Sequence, residues 1–246
     1  DELTWSDVKS TDFYIALLPW GATEPHNLHL PYTTDNLLSR AISLEAAAKA
    51  EKFGVKSVVL PTIPFGSQNP GQTEFPFCIH TRTETQIAIL RDIISSLHRG
   101  GITKLIILNG HGGNSFSGIV RDLAVDLPDF LIVTTDWYKI VDARNYFTEP
   151  GDHAGDLETS LMLHYYPQWV KPHANYGSGT TRSFSIDALN NRKFWLPRNW
   201  KKVSEDTGIG NPQYASAEKG KIFAEAVTDQ IAGFMKEFAE KSELYL

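Results

Sequence analysis

The feature that most restricts the fold is an alternation between short, β-branched apolar runs and longer stretches of helical periodicity. "FYIALLP" (13–19), "KSVVLPTI" (56–63), "KLIIL" (104–108) and "FLIVTT" (130–135) read as strands buried on both faces, the pattern of a parallel sheet. Between them, "DNLLSRAISLEAAAKAE" (35–51) spaces Leu37, Leu38, Ala41, Ile42 and Leu44 so that one helical face is apolar. "TETQIAILRDIISSLHRGG" (83–101) does the same and stops at a Gly pair suited to a C-cap, and "YASAEKGKIFAEAVTDQIAGFMKEFAEK" (214–241) predicts a further amphipathic helix. The order predicts an α/β domain with a mainly parallel sheet covered on both sides, one domain over residues 1–246. The Pro/Gly-spaced stretch 64–77 and the polar stretch 178–213 read as long loops of the kind that shape a site.

Composition narrows the function classes. With 41 % hydrophobic and 21 % charged residues, disordered, collagen-like and disulfide-scaffold classes fit poorly. A net charge of -6 and the lack of a dense Lys/Arg cluster argue against a nucleic-acid partner. Cys78 is the sole cysteine, so an intrachain disulfide and a thiolate zinc cluster are both excluded. No apolar run is long enough for a membrane span, and the expected location is the cytoplasm.

Three clusters of metal-capable side chains follow element boundaries. "WGATEPHNLHLPYTTDNL" carries Glu24, His26, His29 and Asp35 just behind the first strand. Glu24 and His26 are two apart, so on extended chain they point to one side and can converge on an ion. "LNGHGGNS" (108–115) places His111 in a Gly-rich turn at the mouth of the sheet, without the endings of a P-loop or a dinucleotide fingerprint. "GDHAGDLETSLMLHYYP" (151–167) brings Asp152, His153, Asp156 and Glu158 to a helix start near Leu157. Each cluster also has a plain reading: Asp35 and Asp156 as N-caps, Glu158 as a first-turn acid, His111 as a turn residue. Taken together they offer imidazoles and carboxylates in proportions suited to Zn²⁺, Mn²⁺ or Fe²⁺, and a shared carboxylate between two ions can hold a hydroxide nucleophile at neutral pH.

These residues resemble the creatininase (creatinine amidohydrolase) family. "GATEPHNLHLPYTTD" matches the Glu, both His, Leu-Pro and Asp of its opening motif, and "NGHGGN", "HAGDLETS" and "GNPQYASAEKG" match later motifs in order. The resemblance implies a three-layer α/β/α sandwich and a dinuclear metal site that hydrolyses non-peptide C–N bonds of cyclic amides or formamides. It implies Glu24 and His26 as ligands of different ions, Asp35 as the bridging carboxylate, His111 as a further ligand and His153 as the catalytic histidine. It implies two divalent ions, a zinc with manganese or iron as the second. The family's namesake carries a metal-binding Glu two residues after the His of its Asn-Gly-His motif, where this chain has Gly113. Glu158 is the candidate replacement. Pro25, Asn27-Leu28 and Asp152 also depart from the namesake, which leaves the metals in place and the creatinine specificity open.

In the expected mechanism His153, steered by Asp152 or Asp156, passes a proton to the departing nitrogen. Trp137, with Trp20 and Tyr138, is a candidate wall for a planar substrate, although aromatics at strand ends also serve as core. Arg182 in "YGSGTTRS" is a candidate for a phosphate-bearing one, although that stretch also reads as a plain turn. The substrate expected is a small amide or formamide; a formyl pyrimidine ribotide and a small modified peptide are alternatives. The rival class is a non-catalytic metal-containing binding protein of the same fold. Family resemblance also implies a homo-oligomer, with a hexamer as the expected assembly.

Overall fold

The computed structural model describes residues 3–241 together with 244 and 245; the ends of the expected domain, residues 1, 2, 242, 243 and 246, lie outside them. Four strands, β1 (Ile15–Trp20), β2 (Ser57–Val59), β3 (Lys104–Asn109) and β4 (Leu131–Asp136), form a wholly parallel sheet in the order β2-β1-β3-β4. The helices are α1 (Trp5–Lys9), α2 (Thr34–Glu51), α3 (Thr83–Arg99), α4 (Phe116–Asp126), α5 (Asp156–Tyr165), α6 (Asp187–Asn190), α7 (Trp200–Val203) and α8 (Ala217–Glu240).

Side-chain alternation along the central strands sorts the core into two layers. Ile15 and Leu17 of β1 and Ile106 and Leu108 of β3 pack with Leu38 and Ile42 of α2, Leu161 of α5 and Phe223, Val227 and Ile231 of α8. Ala16, Leu18, Leu105 and Ile107 face the other way, onto Leu90 and Ile94 of α3 and Ile119 and Leu123 of α4. Both faces are therefore dry, which is why these strands read as unbroken apolar runs. The sandwich has α2, α5 and α8 on one side and α3 and α4 on the other.

β2 is shorter than its apolar run suggests. The chain still follows β1, with Leu60 N–H donating to Leu17 and Ile63 N–H to Pro19, but Pro61 between them has no N–H to give. The Gly pair does end α3: Gly101 takes φ +82°, and Ile102 N–H reaches back to the Leu97 carbonyl. α8 starts at Ala217, where the Ser216 hydroxyl accepts from Lys219 N–H. No described helix is long and apolar enough to cross a membrane.

Candidate metal centre

The strand order reverses between β1 and β3, so the crevice at their carboxyl ends is where side chains from both can meet a ligand. The exit of β1 leads to Glu24 and His26, both fully buried. α2 begins directly over that exit, and a Cβ on Gly21 would stand 2.7 Å from the Asn36 nitrogen. Asp35 lies in the first turn of α2 with Thr33 at the cap position, so its carboxylate is not spent on capping. At the end of β3, Asn109 accepts from His111 N–H and donates to the His111 carbonyl, which locks the turn that presents the imidazole. α5 brings Glu158, whose Oε2 accepts from Ala154 N–H at 2.5 Å across a residue held at φ +51°. Gly155 takes the cap of α5; Asp156 is its first residue and accepts from Ser160 and Lys219.

Three of the buried histidines, His26, His111 and His153, share one arrangement. His26 Nδ1 faces the Glu24 carbonyl at 3.0 Å, His111 Nε2 the Ser67 carbonyl at 2.7 Å and His153 Nε2 the Pro25 carbonyl at 2.8 Å. A carbonyl only accepts, so each of these nitrogens carries its proton, and the other nitrogen of each neutral ring holds a lone pair. Those lone pairs face carboxylates. His26 Nε2 is 2.9 Å from Asp35 Oδ1, and His111 Nδ1 is 2.9 Å from Glu24 Oε1 and 3.1 Å from Asp35 Oδ2. His153 Nδ1 lies 3.7 Å from Glu24 Oε1, and its ring packs against His26 at a tilt of 36° with centroids 4.1 Å apart.

Acceptor facing acceptor in a dry pocket demands a cation, either a proton or a metal. Asp35 Oδ2 shows the demand directly, because it is buried without an aligned donor although His111 Nδ1 is close. In the metal-free chain protons answer it. Burial opposes a charge on His26, but Asp35, Glu158 and Glu24 outweigh it and raise its pKa to about 10. His111 is raised likewise, burial being overcome by Glu24 and Asp35. Asp35 and Glu24 are held below the usual carboxylate range against their burial, chiefly by His26 and by His111 respectively. Glu158 moves up, since burial there outweighs His26 and His153.

Donor atoms within 4.8 Å of one another form three ligand-capable groups: Glu24, Asp35 and His111; His26, Asp35 and Glu158; and Glu24, His26 and His153. Asp35 belongs to the first two and offers a different oxygen to the histidine of each. All donors are nitrogen or oxygen, the set that suits zinc and manganese. Gly113 leaves no room for a ligand of its own, since an added Cβ would sit 2.5 Å from His111 Nε2 and closer still to the Ser67 carbonyl.

Other expected site residues lie elsewhere. Trp137 is a core residue, 1 % exposed, its indole nitrogen 3.2 Å from Ser39 Oγ, and Trp20 is equally buried against Phe116. Arg182 pairs with Glu205 on the open surface. Asp152 pairs with Arg198 at 2.6 Å, and Asp156 with Lys219, so His153 is oriented by the Pro25 carbonyl rather than by either acid. His29 donates to or accepts from Thr159 Oγ1 on α5 at 2.8 Å, a packing role.

The structure adds neighbours that the motifs did not single out. Arg198 lies over the Trp200 ring, and Trp200 meets His153 edge-on at 5.2 Å. Tyr138 stays a protonated donor, its pKa raised by burial and by Asp136, Asp35, Glu158 and Asp152. Gln72, from the loop before α3, donates to Glu24 Oε2. A polar residue in a Pro/Gly-spaced loop has no periodicity to betray it, and a backbone acceptor such as Pro25 leaves no mark in side-chain patterns.

Comparison with known proteins gives the family. The sequence profile of the creatininase family, described as creatinine amidohydrolase, matches residues 1–235. A Bacteroides fragilis NCTC 9343 crystal structure, provisionally described as a creatinine amidohydrolase, is 48 % identical and superposes with a TM-score of 0.95 over 99 % of this chain and 96 % of its own. A mycofactocin precursor peptide peptidase of Mycobacterium tuberculosis (strain ATCC 25618 / H37Rv) is 30 % identical, covering 92 % of this chain and 86 % of its own. Creatininase structures in a manganese form and, as a mutant, of Zn-Zn type are 25 % and 26 % identical with TM-scores of 0.76 and 0.75, covering 98 % of this chain in both cases and 98 % and 97 % of theirs.

Proposed function

Given that the chain belongs to the creatininase family and is a metal-dependent amidohydrolase acting on C–N bonds, we propose that it holds two divalent ions and hydrolyses a small cyclic amide or formamide. The observation that carries this reading is Asp35. Its two oxygens face lone-pair nitrogens of different histidines, His26 and His111, and each nitrogen belongs to a separate three-residue group. Glu24 and His111 complete one group, His26 and Glu158 the other. Zinc with zinc or manganese fits the donors, and iron is a further occupant of the same chemistry.

When bound, two such ions polarise a carbonyl and lower the pKa of water. The chain's own residues do the rest. His153 stands at the edge of both groups with Nε2–H tied to Pro25, which leaves Nδ1 to take and return a proton. Tyr138, kept protonated by burial and by nearby carboxylates including Asp35 and Glu158, retains an O–H to donate beside the centre. Buried walls exclude bulk water, and Glu158, less buried than the other acids, marks the open side. Relatives are named for creatinine, a peptide precursor and a formylamino ribosylaminopyrimidine monophosphate. A carbonyl bonded to nitrogen is the feature an arrangement of this kind handles. Homo-oligomer formation belongs to the same proposal, supported by exposed Phe194, Trp195 and Leu196, and sedimentation velocity tests it.

Metal analysis of the purified chain, followed by turnover of a panel of cyclic amides, formamides and short peptides, tests the reading. The expected result is two ions per chain and chelator-sensitive release of an amine from at least one class. One tightly held ion and no turnover would favour a binding protein with a structural metal.

A further inference from the structure

One of two side-chain hydrogen bonds at Gln72 reaches the candidate metal centre, and the other ties Gln72 to its own loop. Gln72 is 1 % exposed and sits in a turn of the loop between β2 and α3. Its Oε1 accepts from Asn69 N–H at 2.7 Å, which fixes the orientation of the amide, because a flipped amide would set its NH₂ against that N–H. With Oε1 committed, Nε2 must face Glu24, and it donates to Glu24 Oε2. That leaves Glu24 Oε1 as the oxygen turned toward His111 Nδ1.

The same loop fixes His111. The Ser67 carbonyl takes the Nε2 proton, and Ser67 itself is held by its N–H to Asn114 Oδ1 and its hydroxyl to the Thr81 carbonyl. The Trp200 N–H donates to Pro70 from the far side. The second group has other supports: His26 is set by the Glu24 carbonyl and Glu158 by Ala154 N–H.

Resting on the two-ion reading above, we propose that Gln72 is a positioning residue for one ion position only, that of Glu24, Asp35 and His111, which it serves by holding Glu24 to a single inward oxygen. Groups that orient ligands in this way typically account for 10–100-fold in metal affinity. The loop thus sets the affinity of one position while the other is governed by α5.

Zinc titration of the chelator-stripped full chain by calorimetry tests this, with cobalt(II) absorption as a signature of each position. The variants are Gln72→Met, which keeps length and loses the donor, and Gln72→Asn, which keeps the amide but cannot span Asn69 and Glu24 together. Expected is a fall of about 10–100-fold at one position, wild-type affinity at the other, and one altered cobalt band. Metal-free thermal unfolding identifies a variant that does not fold, and the other variant then carries the test. Wild-type affinity at both positions, or equal losses at both, overturns the proposal for Gln72. A wild-type chain that takes fewer than two ions overturns the two-ion reading and this proposal with it.

Discussion

Two glycines in α8 should respond in opposite directions to the same added methyl. Gly233 faces open space, with nothing within 4 Å of where a Cβ would be. Gly220 is packed against α5; a Cβ there would stand 2.9 Å from the Leu161 nitrogen and closer to the Ser160 carbonyl. Replacing Gly by Ala in a helix stabilises by up to about 1 kcal/mol, and Gly233→Ala should show that gain. Gly220→Ala has the same gain to offset, but backbone cannot rotate away as a side chain can. Restoring ordinary contact requires α5 and α8 to part by roughly an ångström, and overpacking of that kind costs about 1–3 kcal/mol.

The difference between the two variants removes the propensity term and isolates the clash. At about 2–4 °C per kcal/mol for a chain of this size, Gly220→Ala should melt roughly 2–12 °C below Gly233→Ala in a thermal scan of the metal-free protein. A second readout follows from position. Glu158 lies two residues before Ser160 in α5, so a displaced α5 also weakens metal binding at the His26, Asp35 and Glu158 group. Equal melting temperatures, or a more stable Gly220→Ala, would refute the close-approach argument.

Other outcomes follow from the site. Asp35→Ala should lose both ions in elemental analysis, whereas two retained ions with persistent turnover would remove the shared-carboxylate role. Glu158→Gln should lose one ion and keep the other; an unchanged count would exclude Glu158 as a ligand. His153→Ala should keep its metal while the rate drops by about 10²–10⁴-fold, and metal loss would make His153 a ligand instead. His29 has its pKa lowered to about 4 by burial and then by His26. Below pH 6.5 the unfolded chain takes up a proton that folded His29 refuses, so stability falls between pH 6.5 and about 4 and levels off beneath. Metal-free wild type and His29→Gln compared across that range should differ in slope there, and parallel curves would show that His29 titrates normally.

Much of the fold was legible because a two-sided sheet forces apolar runs and its helices force a stripe, as in β1, β3, α2 and α3. Pro61 showed the limit: the run 56–63 reads as one strand, yet the paired strand ends at Val59, two residues before that proline. α4, amphipathic though it is, was not singled out in the sequence. At the site, side chains grouped by motif were readable, and the family resemblance is what singled out Glu158 where Gly113 has no side chain. Partners chosen by three-dimensional packing were not: Asp152 turns to Arg198, and Trp137 turns into the core. Gln72 is separated from Glu24 by 48 positions and meets it only after the sheet has formed.

The acceptors that set the three histidine tautomers are main-chain carbonyls, of Glu24, Ser67 and Pro25. No single-residue replacement deletes a carbonyl. A side-chain scan of this protein would therefore leave those three acceptors in place, and at position 67 it would remove only the hydroxyl that ties Ser67 to the Thr81 carbonyl. Such an arrangement lets related chains exchange their substrate-facing residues without first rebuilding the reactive centre.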